Sequence, residues 1–98
     1  MLLPDYDFMS DSTENTSTRF VTFITPGYKR FDLAITSTSR FYGKMLVTDL
    51  QNGRTAIIGP DDLEEEGYIE YTFKLTEEEA AELSEFLSLI VGTVNFTD

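Results

Sequence analysis

The sequence predicts an α+β domain: an antiparallel sheet of about five strands built from hairpins, covered on one face by a C-terminal helix. Three observations carry this expectation. Segments rich in β-branched and aromatic residues recur between residues 20 and 58, punctuated by Pro26-Gly27 and Asn52-Gly53. Apolar residues recur at helical spacing after Thr76, and 98 residues leave room for only one core. A chain of this size buries only about 60–65% of the surface its unfolded form exposes, so the core is thin and a partner subunit would help to stabilise it.

Residues 1–17 read as an acidic, Ser/Thr-rich N-terminal arm, expected to be flexible. Tyr6 and Phe8 lie two apart, so in an extended arm they share a side and could meet a sheet edge. Residues 18–92 form the single domain, and 93–98 a tail. Within the domain, Phe20 to Thr25 and Phe31 to Thr36 are two strands joined by the Pro-Gly turn. The first is apolar on both sides, with Phe20 and Ile24 opposite Val21 and Phe23. Met45 to Leu50 and Thr55 to Ile58 flank Asn52-Gly53, a dipeptide suited to a type I′ turn with two positive φ angles.

Gly59-Pro60 opens an acidic segment, Asp61 to Glu66, whose proline and early acids suit one short helical turn closed by Gly67. Tyr68 to Leu75 alternates, with Ile69, Tyr71, Phe73 and Leu75 on one side, and is expected to be the fifth strand. Thr76 and Glu79 have capping-box spacing, and Ala80, Leu83, Phe86, Leu87 and Ile90 form an apolar helical stripe. Glu77, Glu78, Glu82 and Glu85 fall on its wetter side, and Gly92 suits the residue that closes it.

The composition excludes a good deal of chemistry. With no Cys there is no disulfide, thiolate metal site or cysteine nucleophile, and with no His there is no Ser-His-Asp triad. No run approaches the roughly 18 apolar residues of a membrane span, and the first residues lack a signal-like pattern, so no membrane association and a cytoplasmic location are expected. The net charge is -11, distributed as -4 over residues 1–18, -1 over 19–74 and -6 over 75–98. Such a field repels phosphate backbones, which argues against nucleic acid, and attracts basic protein surfaces.

The segments Thr18-Arg-Phe-Val21, Arg30-Phe-Asp-Leu-Ala-Ile35, Arg40-Phe-Tyr-Gly-Lys44 and Ala56 to Glu65 carry a family resemblance. Together they resemble a domain-of-unknown-function family of small acidic cytosolic proteins from Gram-positive bacteria, over residues 18–91. The resemblance implies a bacterial cytosolic setting and supplies no catalytic residue.

Three constellations invite a functional reading. Asp61, Asp62, Glu64, Glu65 and Glu66 form a candidate protein-interaction surface, to which the acidic first turn of the C-terminal helix, Glu77 to Glu79, adds charge. Their consecutive placement lacks the alternating ligands of a calcium loop, so no metal is assigned. Arg40 and Lys44, with Gly43 and the preceding hydroxyls, form a candidate anion site, although no phosphate-loop motif is present. Asp32, Asp49, Glu70 and the acidic segment could supply a carboxylate pair of the kind glycoside hydrolysis uses. The expected function is a non-enzymatic cytosolic interaction or regulatory module, homodimeric, that presents acidic surface to a protein partner and needs no cofactor. A small-ligand or phosphate-binding protein is the alternative, and a carboxylate-based hydrolase a further one.

Overall fold

A computed structural model describes residues 6–91; Gly92 and the expected tail 93–98 lie outside the described residues. Four strands, β1 (Ser17–Ile24), β2 (Arg30–Ser37), β3 (Met45–Asp49) and β4 (Arg54–Ile58), are followed by three helices, α1 (Pro60–Glu64), α2 (Tyr68–Phe73) and α3 (Glu77–Ile90). The strands form an antiparallel meander in sequence order, so β1 and β4 are its edges.

Alternation along the strands decides what each face does. Phe31, Leu33, Ile35, Val47 and Ile58 point to one face and are buried against Ile69 and Phe73 of α2 and Leu83 and Leu87 of α3. Phe23 joins them from β1, its ring 5.5 Å from Phe31 and 4.0 Å from Phe86. Burying several such side chains at about 1.5–3 kcal/mol each is what holds the helices on the sheet. The opposite face has no covering layer among the described residues: Phe20 is 74% exposed and Ile24 66%. Its cross-strand pairs are polar as well as apolar, with hydroxyl bonds of 2.8 Å from Thr18 to Thr36 and from Thr48 to Thr55.

The segment expected as a fifth strand is the helix α2. Ile69 and Phe73 are four apart, and positions i and i+4 share a side both in a strand and in a helix, so their burial does not separate the two. Tyr71 does, because at 83% exposure it faces away from the core that a strand would have turned it into. Gly67 enters α2 at φ 81°, and Lys74 leaves it in the left-handed region, with the Lys74 and Leu75 amides both donating to the Glu70 carbonyl. That is a Schellman-type stop, which a strand has no use for.

The Asn52-Gly53 hairpin forms, but not through a type I′ turn. Asp49 pairs with Arg54, leaving a four-residue loop, residues 50–53, in which Gly53 alone has positive φ, at 78°. Its amide donates to the Asp49 carbonyl at 2.7 Å. Asn52 holds the turn through its Oδ1, which accepts the Arg54 amide at 3.0 Å, and also reaches a distant element, its Nδ2 donating to the Phe73 carbonyl at 3.1 Å and so capping the end of α2. The Thr76–Glu79 capping box is present in both directions, each bond 3.1 Å. Glu82, expected on the wetter side of α3, is half-buried and turned onto the β1–β2 turn.

Candidate functional site

The helices leave a groove between them. α1 and the start of α2 form one wall and α3 the other, enclosing 630 Å³. Glu64, Glu65, Glu66 and Glu70 stand along the first wall, and Glu77 and Glu85 along the second. No lysine or arginine lines it, and its floor carries Leu63, Ile69, Ala80 and Ala81. Six carboxylates above apolar surface attract a cation that also brings something apolar to bury.

The five acids expected as an interaction surface divide. Glu64, Glu65 and Glu66 line the groove, whereas Asp61 and Asp62 do not. Asp62 Oδ2 accepts the Gly59 amide at 2.7 Å, which caps α1, and pairs with Lys44 Nζ at 3.1 Å. The Asp62 carboxylate, helped by Asp61 and opposed by partial burial, raises the Lys44 pKa above its ordinary value. Glu77 belongs to the acidic first turn of α3 that the charge pattern already offers to a basic partner, whereas Glu70 and Glu85 lie outside the expected surface. Glu85 is legible in the sequence, since 77, 81, 85 and 88 follow one helical face, but Glu70 is hidden when residues 68–75 are read as a strand.

The two cations expected as an anion site are engaged by different carboxylates. Arg40 Nε lies 3.8 Å from Glu14 Oε1, and its Nη2 donates to Ser12 Oγ at 2.9 Å. Thr38 Oγ1 donates to the other Glu14 oxygen, so the arm is tied to the β2–β3 loop. Lys44 lines a hollow of 310 Å³ with Phe41 and Gly43, but Arg40 does not, and Lys44 itself is held by Asp62. Tyr42 is 99% exposed, and Phe41 is half-buried. Ser17, expected to end the arm, opens β1 opposite Ser37, whereas residues 6–16 pair with neither sheet edge, and Tyr6 and Phe8 are exposed.

Of the carboxylates considered for hydrolysis, Asp49 and Asp32 lie on separate surfaces, away from the groove that Glu70 shares with Glu64, Glu65 and Glu66. Asp49 pairs with Leu33 and so shares the covered face, where it is buried and its Oδ1 accepts the Gln51 amide at 3.0 Å. Asp32 lies on the open face, where the Thr22 hydroxyl, at 2.6 Å, and Arg30, at 3.3 Å, hold its carboxyl below the ordinary aspartate value against partial burial. Glu70 belongs to the groove. Among the described residues, no group of three or more His, Cys, Asp or Glu side chains could hold a metal ion. Nor, among them, is any helix long and apolar enough to cross a membrane.

Fold and groove together define a small α+β protein with an acid-rimmed, apolar-floored cleft beside its C-terminal helix. The chain belongs to the SAV0927-like family, whose model matches residues 9–89. This is an uncharacterised bacterial family, and its span takes in Ser12 and Glu14 of the arm as well as every strand. No curated protein matches the chain.

Proposed function

We propose that this protein is a non-enzymatic interaction or regulatory module of the Gram-positive cytosol, homodimeric, that presents the groove to a basic protein partner. The observation that carries the reading is the lining itself: six carboxylates, no lysine or arginine, and an apolar floor in 630 Å³. Charge of one sign around a low-dielectric concavity speeds encounter with a partner of the other sign and selects against acidic competitors. The absence of His and Cys weighs against an enzyme. Because Arg40 and Lys44 each have a carboxylate partner already, the anion-binding alternative has less support.

The open face of the sheet favours the dimer. Its ladder positions carry only two charges, Arg30 and Asp32, and these are paired with each other at 3.3 Å. Two copies of a chain with net charge -11 repel, and this neutral face with exposed Phe20 and Ile24 is where they can meet at least cost.

The reading is tested by capturing partners on the immobilised protein at low and high salt, beside a variant with Glu64, Glu65 and Glu66 changed to Lys. A stoichiometric protein that binds the natural chain, leaves with salt and ignores the variant supports it; equal capture by both forms sinks it. Sedimentation at micromolar concentration tests the dimer, which a strictly monomeric species overturns.

A further inference from the structure

We infer that the occupant of the groove is an amphipathic basic helix of about three turns, its apolar stripe on the groove floor and its lysines or arginines along both flanks. This rests on the acidic-docking reading and adds the partner's shape. The α3 wall runs from Glu77 to Ser88, which at 1.5 Å per residue is about 16 Å, or three helical turns. Along that wall Ala80, Ser84 and Ser88 follow one another at intervals of four, with Ala81 beside them. Side chains this small let a second helix come close to the backbone of α3, where larger ones would hold it off.

The charges have matching spacing. Glu77 and Glu85 stand eight residues apart on α3, about 12 Å along its axis, and basic residues at i and i+7 of a ligand helix are separated by about 10.5 Å on one flank. Glu64, Glu65, Glu66 and Glu70 face the other flank. Of the floor, Leu63 and Ala81 then meet the stripe between the two rows of cations, with Ile69 and Ala80 buried beneath them.

An extended ligand fits less well for a backbone reason. All the secondary structure lining the groove is helical and offers no sheet edge, so a strand laid in it would leave its own amides and carbonyls without partners. A helix brings those bonds with it.

The test uses the full chain and three fluorescent peptides of one composition, Leu, Lys and Ala, of about 15 residues. One is patterned with helical period, one with the alternating period of a strand, and one is scrambled; binding is read by anisotropy. The helical peptide is expected to bind at least about tenfold tighter than the other two, a difference of about 1.4 kcal/mol. It should gain helical circular dichroism on binding and weaken about tenfold against Ser84→Trp, which fills the groove without changing its charge. The circular dichroism and melting curve of that variant establish that it folds, and Ala81→Leu serves as a second, milder filling. Equal, salt-sensitive affinity for all three peptides, or preference for the alternating one, overturns the helical occupant and leaves acidic docking standing. Failure of all three to bind overturns both, as does unchanged binding by the Glu64, Glu65, Glu66 to Lys variant.

Discussion

The Gly27 amide donates to the Glu82 carboxylate at 2.8 Å, across fifty-five residues of chain. The contact ties the β1–β2 turn to the middle of α3, next to the place where Phe23 stacks on Phe86. The approach at the glycine is close: a Cβ at position 27 would lie 3.0 Å from Glu82 Oε2, and the carboxylate would have to give by a few tenths of an ångström. A charge-assisted bond in an exposed setting contributes on the order of 1 kcal/mol. Glu82→Ala is expected to lower stability by about that amount in urea unfolding, and Gly27→Ala to cost less in the Glu82→Ala background than in the natural chain, since the carboxylate that crowds the new Cβ is then gone.

Lys74 occupies the left-handed region at φ 57° and ψ 57° as it ends α2. Glycine adopts that conformation without the Cβ penalty, so Lys74→Gly is expected to stabilise the protein by about 0.5–1 kcal/mol. The same substitution in a strand would destabilise by a similar amount, so the sign of the change in urea midpoint separates helix from strand over residues 68–73.

Thr76 caps α3 through its hydroxyl, 3.1 Å from the Glu79 amide. Thr76→Ala is expected to cost about 1 kcal/mol. For a domain of this size that lowers the melting temperature by about 4–8 °C. Thr76→Ser or Thr76→Asp, which keep an oxygen in reach, should restore most of it.

Two ion pairs give the stability a pH dependence of opposite sense. Asp32 has its pKa lowered, first by the Thr22 hydroxyl and then by Arg30. Its contribution is therefore present above the ordinary aspartate pKa and is lost as pH falls below about 4, through the lowered value. Thr22→Val should raise the Asp32 pKa, measured by carbon-detected NMR titration, and reduce the loss of stability in acid. Lys44 has its pKa raised, chiefly by Asp62. Its contribution is full below the ordinary lysine value and is lost as pH climbs above about 10.4, through the raised one. Asp62→Asn should abolish that alkaline dependence in urea unfolding between pH 9 and 11.5, and an unchanged slope would show that the pair does not contribute.

What the sequence by itself determined is what short-range chemistry decides. The two hairpins, the capping box of Thr76 and Glu79, the stripe of Ala80, Leu83 and Leu87, and the short turn after Pro60 all depend on residues within a few positions of one another, and all are present. The acidity of Glu64, Glu65 and Glu66 was legible for the same reason. Tertiary structure decided the rest. Ile69 and Phe73 satisfy both periodicities, and only packing against β4 and α3, with the left-handed stop at Lys74, selects the helix. Asn52 capping α2, Glu14 holding Arg40 and Glu82 holding Gly27 each join residues more than twenty positions apart. The groove is of the same kind: Glu77 and Glu85 come to face Glu64, Glu65, Glu66 and Glu70 only once α2 and α3 lie on the sheet, because a concavity is made by surfaces that the chain brings together and not by any one stretch of it.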